Sequence, residues 1–112
     1  MLRNFMASKI RTRIVATAVR CFAKRGYSGT STKEIATLAN VTEGSLFRLF
    51  LSKENLFTEA LALALSAKGA RPMHLRIVAF ALLEGKGLTQ PNQAAISGFA
   101  KRAPLIRELR AI

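Results

Sequence analysis

GYSGTSTKEIATLANVTEGSLFRLFLSKE, residues 26–54, contains two short helical patterns joined by a tight turn, and Ser52-Lys53-Glu54 opens a third. Ser31 followed three residues later by Glu34 is a capping box, in which hydroxyl and carboxylate satisfy orphan backbone donors at a helix start. The first of these helices is therefore expected to begin near Thr32. Ile35, Ala36 and Ala39 then share one face, and Asn40 stands where a left-handed residue would stop the helix, a conformation Asn tolerates better than most. Val41 fills the turn. Thr42 caps the next helix, whose Leu46, Leu49 and Phe50 lie on one side while Gly44 and Arg48 point nearly opposite. Such a pair of helices is a helix-turn-helix, with an outward face available for reading DNA.

The pattern extends upstream and downstream. Ile14-Val15, Ala18, Cys21-Phe22, Gly26-Tyr27, Thr30 to Thr32, Ile35-Ala36, Ala39, Val41-Thr42, Gly44, Leu46-Phe47, Phe50 and Ser52-Lys53-Glu54 fall at the spacing of a known family. On these residues the stretch from about 9 to 60 resembles the N-terminal DNA-binding domain of the TetR/AcrR family of bacterial transcriptional regulators. The resemblance implies that Thr32 and Lys53 clamp the DNA backbone at the starts of the second and fourth helices. It also marks departures: the family usually has Tyr at the position of Phe47 and often His at that of Leu49, both used on the DNA backbone. The family's turn Gly is Asn40, a tolerable exchange because both residues reach positive φ.

Charge points to the same partner class. Eighteen Lys and Arg oppose six acidic residues, for a formal net charge of +12. All six are Glu. The excess is larger in residues 1–53 than in the remainder, so the positive field concentrates around the helix-turn-helix, where it would speed encounter with double-stranded DNA and add affinity through counterion release. Charge alone also fits a nonspecific basic nucleic-acid binder.

Around this unit the chain reads as all-α. Helix one, from about Lys9 to Arg25, places Ile10, Ile14, Ala18 and Phe22 on one stripe, with Arg11, Arg13, Arg20 and Lys24 largely elsewhere. Gly26 stops it, and Tyr27 packs back into the core. Helix four runs from Lys53 or Glu54 to about Ser66 with Leu56, Phe57, Ala60, Leu61, Ala64 and Leu65 inward. Residues 68–72 are a break, 73–84 another helix, and Gly85, Gly87 and Pro91 a loop, followed by short helices over 92–102 and 104–112. The expected organisation is a DNA-binding domain over 1–53, a connecting helix and break over 54–72, and a short helical tail over 73–112. At 112 residues the chain has too little sequence for the helical bundle with which the family binds inducers and dimerises, which speaks against a small-molecule inducer. A homodimer through 73–112 is the expectation for the tail, through Leu75, Val78, Ala79, Leu82 and Leu83.

Other functions find little support. The longest apolar run, Ile77 to Leu83, is far short of the ~20 residues of a membrane span. The opening lacks the apolar core of a secretory signal, which makes the expected location cytoplasmic. One cysteine, Cys21, excludes an internal disulfide and reads as a small buried hydrophobe. His74 is the only histidine, and the Glu residues show no paired spacing for acid–base or metal work, so neither an enzyme nor a metal or cofactor is expected. His74 reads as decorating the start of its helix.

The reading helix enters the major groove with its N-terminal half, which makes Thr42, Glu43, Gly44, Ser45 and Arg48 the candidates for bases and nearby phosphates. Gly44 lets the backbone approach. Arg48 is suited to guanine O6 and N7, or to phosphate. For Glu43 the helix dipole is explanation enough. The expected function is a sequence-specific transcriptional regulator, a repressor that occupies a promoter. Two other readings are the nonspecific binder and a truncated interaction protein whose apolar tail pairs with another regulator.

Overall fold

A computed structural model describes residues 2–68, 71–104 and 106. Among these, helices follow in the order α1 (Leu2–Arg25), α2 (Thr32–Leu38), α3 (Glu43–Leu49), α4 (Lys53–Ser66), α5 (Pro72–Glu84) and α6 (Gln90–Arg102), with no strand. α1 begins at Leu2 rather than near Lys9, since the opening residues carry neither Gly nor Pro to break the pattern. Pro91 belongs to the first turn of α6 and not to the preceding loop, because a helix's first N–H groups need no intrahelical partner. Of the expected helix over 104–112, only Pro104 and Ile106 fall within the described residues.

α1 is the central element, packed against α2, α4 and α5, while α4 also carries α5 and α6. Its stripe of Ile14, Ala18 and Phe22 is fully buried. Phe22 meets Phe57 edge to face at 4.8 Å, and Tyr27 meets Phe57 likewise at 5.4 Å. These rings bury large apolar areas in favourable mutual geometry, each side chain contributing roughly 1.5–3 kcal/mol by area. The whole inward face expected of α4, from Leu56 to Leu65, is buried. Cys21 is buried in the same core, and burial together with nearby Glu34 pushes its thiol pKa up, as befits a small hydrophobe.

The tail departs from expectation. Val78 is fully buried, and Leu75, Ala79 and Leu82 pack against the same core, so four of the five residues expected to form a self-association surface face inward. α1 and α4 offer apolar faces that the three-helix unit alone leaves uncovered, and α5 covers them. Only Leu83 remains open, at 70% exposure. His74 is likewise buried instead of decorating its helix start, with its Nδ1 lacking a hydrogen-bond partner.

Two devices fasten α5 to α1. Arg76 Nε donates to the Ala23 carbonyl at 2.8 Å, placing a cation on the C-terminal end of α1, where the dipole favours it. At the other end of α5, the Glu84 carboxylate accepts from the backbone N–H of Tyr27 at 2.8 Å and of Ser28 at 3.1 Å. Gly26 makes this closeness possible. Its φ is +79°, and an added Cβ would lie 2.7 Å from both the Glu84 carboxylate and the Phe80 ring.

These contacts set the acid response. Hydrogen bonds from Ser28 dominate in holding Glu84 below the usual carboxylate pKa, so its stabilisation is complete above the ordinary value of 4.5 and is lost as pH falls through the folded value. Burial, then Arg71, lowers the His74 pKa below 6.5, so stability also declines as the unfolded chain begins to take up a proton below that pH. Thermal melts should therefore show stability falling in two stages on acidification. His74→Leu should flatten the upper stage and Glu84→Gln the lower one. At neutral pH, Glu84→Ala should cost about 1–2 kcal/mol, the scale of charge-assisted hydrogen bonds partly replaced by water.

Candidate nucleic-acid interface

α2 and α3 are capped in the manner their sequence dictates. The Ser31 hydroxyl accepts from Glu34 N–H at 3.0 Å, and the Thr42 hydroxyl from Ser45 N–H at 3.0 Å. Asn40 adopts φ +59°, turning the chain between them. The Glu34 carboxylate engages the Arg25 guanidinium at 3.0 Å, tying α2 to the end of α1. Leu46 and Phe50 are buried, which fixes the rotation of α3 and turns Glu43, Gly44, Phe47 and Arg48 to solvent, with Ser45 half-buried beside them.

The candidate residues thus divide by what already occupies them. Thr42 is committed through its hydroxyl to the cap. Thr32 Oγ1 donates to the Glu43 carboxylate at 2.9 Å, so these two side chains join the starts of α2 and α3. Arg48 Nη2 donates to Ser45 Oγ at 3.2 Å, aligning the guanidinium with the N-terminal half of the helix. Gly44 has open space on its side: an added Cβ would meet only Thr42 Oγ1, at 3.8 Å. The protein's own packing gives no reason for a glycine there. Phe47 is 39% exposed on the same face, whereas Leu49 is half-buried against the core. Leu49 is therefore a packing residue, and its departure from His removes nothing from the core side of the helix.

Beyond the turn that contains Leu51, Ser52 caps α4 by accepting from Asn55 N–H at 3.0 Å. Lys53 stands at the first position of this helix, its ammonium 4.4 Å from the centroid of the Tyr27 ring. Tyr27 thus packs against the core rings of Phe22 and Phe57 and also receives a cation.

Residues 14–60, which run from α1 into α4, match the family model for bacterial regulatory proteins of the tetR family. This segment is therefore similar to the tetR family. It is similar to an uncharacterized HTH-type transcriptional regulator, YvkB, of Bacillus subtilis, with 41% identity over 58 residues, covering 52% of this chain and 31% of that protein. It is 40% identical over 52 residues to the HTH-type transcriptional regulator QacR of Staphylococcus aureus, covering 46% of this chain and 28% of the relative. With the HTH-type transcriptional repressor AcnR of Corynebacterium diphtheriae it shares 35% over 57 residues, covering 51% of this chain and 30% of the relative. The matched region is thus less than a third of each of these relatives.

The matched segment has supports that sequence reading missed. Arg11 Nη1 donates to the Leu49 carbonyl at 2.9 Å, and Arg13 Nε to the Ala39 carbonyl at 2.9 Å, so α1 sends one guanidinium to the end of α3 and one to the end of α2. Arg11 also pairs with Glu59 of α4. Amphipathic spacing placed both arginines off the buried stripe but gave no sign of the partners, which lie 26 and 38 residues away.

Gly44 supplies a clean test of this geometry. With room for a methyl group and a helical backbone, Gly44→Ala should raise stability by about 0.5–1 kcal/mol, the usual entropic difference in a helix. A higher midpoint in chemical denaturation, with unchanged helical content, is the expected result.

Proposed function

We propose that this protein is a sequence-specific DNA-binding regulator that represses transcription by occupying a promoter site. The observation that carries this reading is the solvent-facing N-terminal half of α3, bare at Gly44, with Ser45 and Arg48 aligned along it, together with the capped N-terminus of α4 that carries Lys53 at its first position. An α-helix presented this way fits a major groove, and helix N-termini hold phosphates through free N–H groups and the positive dipole end. The tetR-family segment and the name of the Corynebacterium relative support the regulatory and repressive parts of the reading.

The residues take distinct roles. Ser45 and Arg48 read base edges, with Arg48 placed for two-point contact to guanine; Gly44 admits the backbone; Phe47 packs on the sugar-phosphate wall. Thr32 and Lys53 position the unit on phosphates, and Thr42 and Glu43 hold the helix start in register. Because one helix-turn-helix covers one half-site, two copies on a two-fold-related site are the working arrangement. A small-molecule inducer is no part of this reading.

The deciding experiment selects bound sites from random duplexes and weighs the bound species. An enriched motif is expected; equal recovery of all sequences would leave only a nonspecific basic binder. Lys53→Ala should weaken all duplexes alike and make the salt dependence shallower by about one unit, while Arg48→Ala should cost about 1–3 kcal/mol at one base pair and relax preference there. Gly44→Ala should weaken duplex binding even though the fold gains stability. Stronger or unchanged binding in that variant would remove the close backbone approach.

A further inference from the structure

The turn between α5 and α6 lies outside the segment that matches the tetR family, yet it is held firmly against it. Lys86 stands in this turn between two glycines in the left-handed region, Gly85 at φ +66° and Gly87 at φ +69°. Gly87 is pressed onto α4: an added Cβ would fall 2.9 Å from the Phe57 ring. Asn92, only 4% exposed, fixes the turn from the other side, its amide donating to the Gly87 carbonyl at 2.8 Å and to the Thr58 carbonyl at 3.2 Å. Glu84, one residue before the first glycine, is held by Tyr27 and Ser28 N–H. The backbone on both sides of Lys86 is thereby anchored to α4 and to the α1–α2 turn.

The side chain so placed carries its charge to a specific spot. Lys86 Nζ lies 5.1 Å from the centroid of the Tyr27 ring, the same ring over which Lys53 Nζ lies at 4.4 Å. Two ammonium groups therefore gather at one aromatic ring. The nearby carboxylate, Glu84, is committed to backbone donors and counters part of their charge. Bringing like charges together is unfavourable in isolation, and a polyanion supplies the compensation. Phosphates repeat along each DNA strand with a rise of about 3.4 Å, so adjacent ones can meet neighbouring cations.

We propose that Lys86 is a second phosphate-contacting cation beside Lys53, so that the tail contributes directly to the nucleic-acid interface. This rests on the DNA-binding reading above. It assigns the α5–α6 turn a role in affinity, with no role in sequence preference, since phosphate contacts position without specifying.

The test measures binding of the full chain to mixed-sequence duplex DNA across a salt series. Lys86→Gln keeps much of the aliphatic stem while removing the charge, and should make the slope of log affinity against log salt shallower by about one unit, as Lys53→Gln does, with the double variant shallower by about two. Lys86→Arg should keep the wild-type slope. Lys68→Gln, two residues beyond the far end of α4, should leave the slope unchanged. Circular dichroism checks that each variant retains its helical content. An unchanged slope in Lys86→Gln, beside a shallower one in Lys53→Gln, overturns the assignment while leaving the DNA-binding reading intact. An equal effect from Lys68→Gln also overturns it, by reducing the result to net charge. Absence of salt-dependent duplex binding by the wild-type chain removes the DNA-binding reading itself, and this proposal with it.

Discussion

Helices of seven residues do not persist alone in water, because the cost of nucleating a first turn outweighs the few bonds that follow. α2 and α3 are both of this length, so their existence depends on what holds their ends. Their starts are closed by Ser31 and Thr42, and joined to one another through Thr32 and Glu43. Their ends are met by Arg13 and Arg11, reaching from α1 to the Ala39 and Leu49 carbonyls. Each such cation at a helix end contributes about 0.3–1 kcal/mol. Small as this is, it acts on elements with little stability of their own. The orientation of the solvent-facing side of α3 follows: burial of Ile35, Ala36, Leu46 and Phe50 fixes the rotation of the two helices, and the arginines meet their ends.

The same use of guanidinium recurs in the rest of the molecule. Arg76 reaches the end of α1, and Arg102 lies 3.4 Å from the Leu65 carbonyl near the end of α4. A net charge of +12 invites the inference that the basic residues serve a polyanion. For several arginines the structure gives an internal use first. Their heads neutralise helix ends while their stems lie along the protein, as long amphipathic side chains commonly do. Arg11 and Arg102 also lie over rings, those of Phe50 and Phe99, in addition to their carbonyl partners. Lys53 and Lys86 lie over the Tyr27 ring, which offers a cation only the modest attraction of an aromatic quadrupole. Total charge is thus a poor guide to the interface; the chemistry of each cation's nearest partner is a better one.

That distinction also separates what the sequence disclosed from what it could not. Local signals were legible: the Ser31 and Thr42 caps, Asn40 at the turn and the apolar face of α4 each depend on neighbours within a few positions and took the expected form, whereas the carboxylate half of the Ser31–Glu34 capping box did not, Glu34 pairing with Arg25 instead. The position of α5 was not legible. Its residues 77–83 are apolar almost without interruption, so periodicity had no polar side to mark, and a surface for another copy of the chain looked as reasonable as a surface for α1 and α4. What decides between them is long-range: Gly26 has no Cβ where Phe80 and Glu84 approach, and Glu84 finds two backbone donors that lie more than fifty residues earlier. With these contacts the tail completes the core of the helix-turn-helix unit. Because Glu84 holds the turn that leads into α2, the tail and the start of that unit share one set of hydrogen bonds, and the seven-residue helices inherit part of their rigidity from a segment their own sequence pattern does not include.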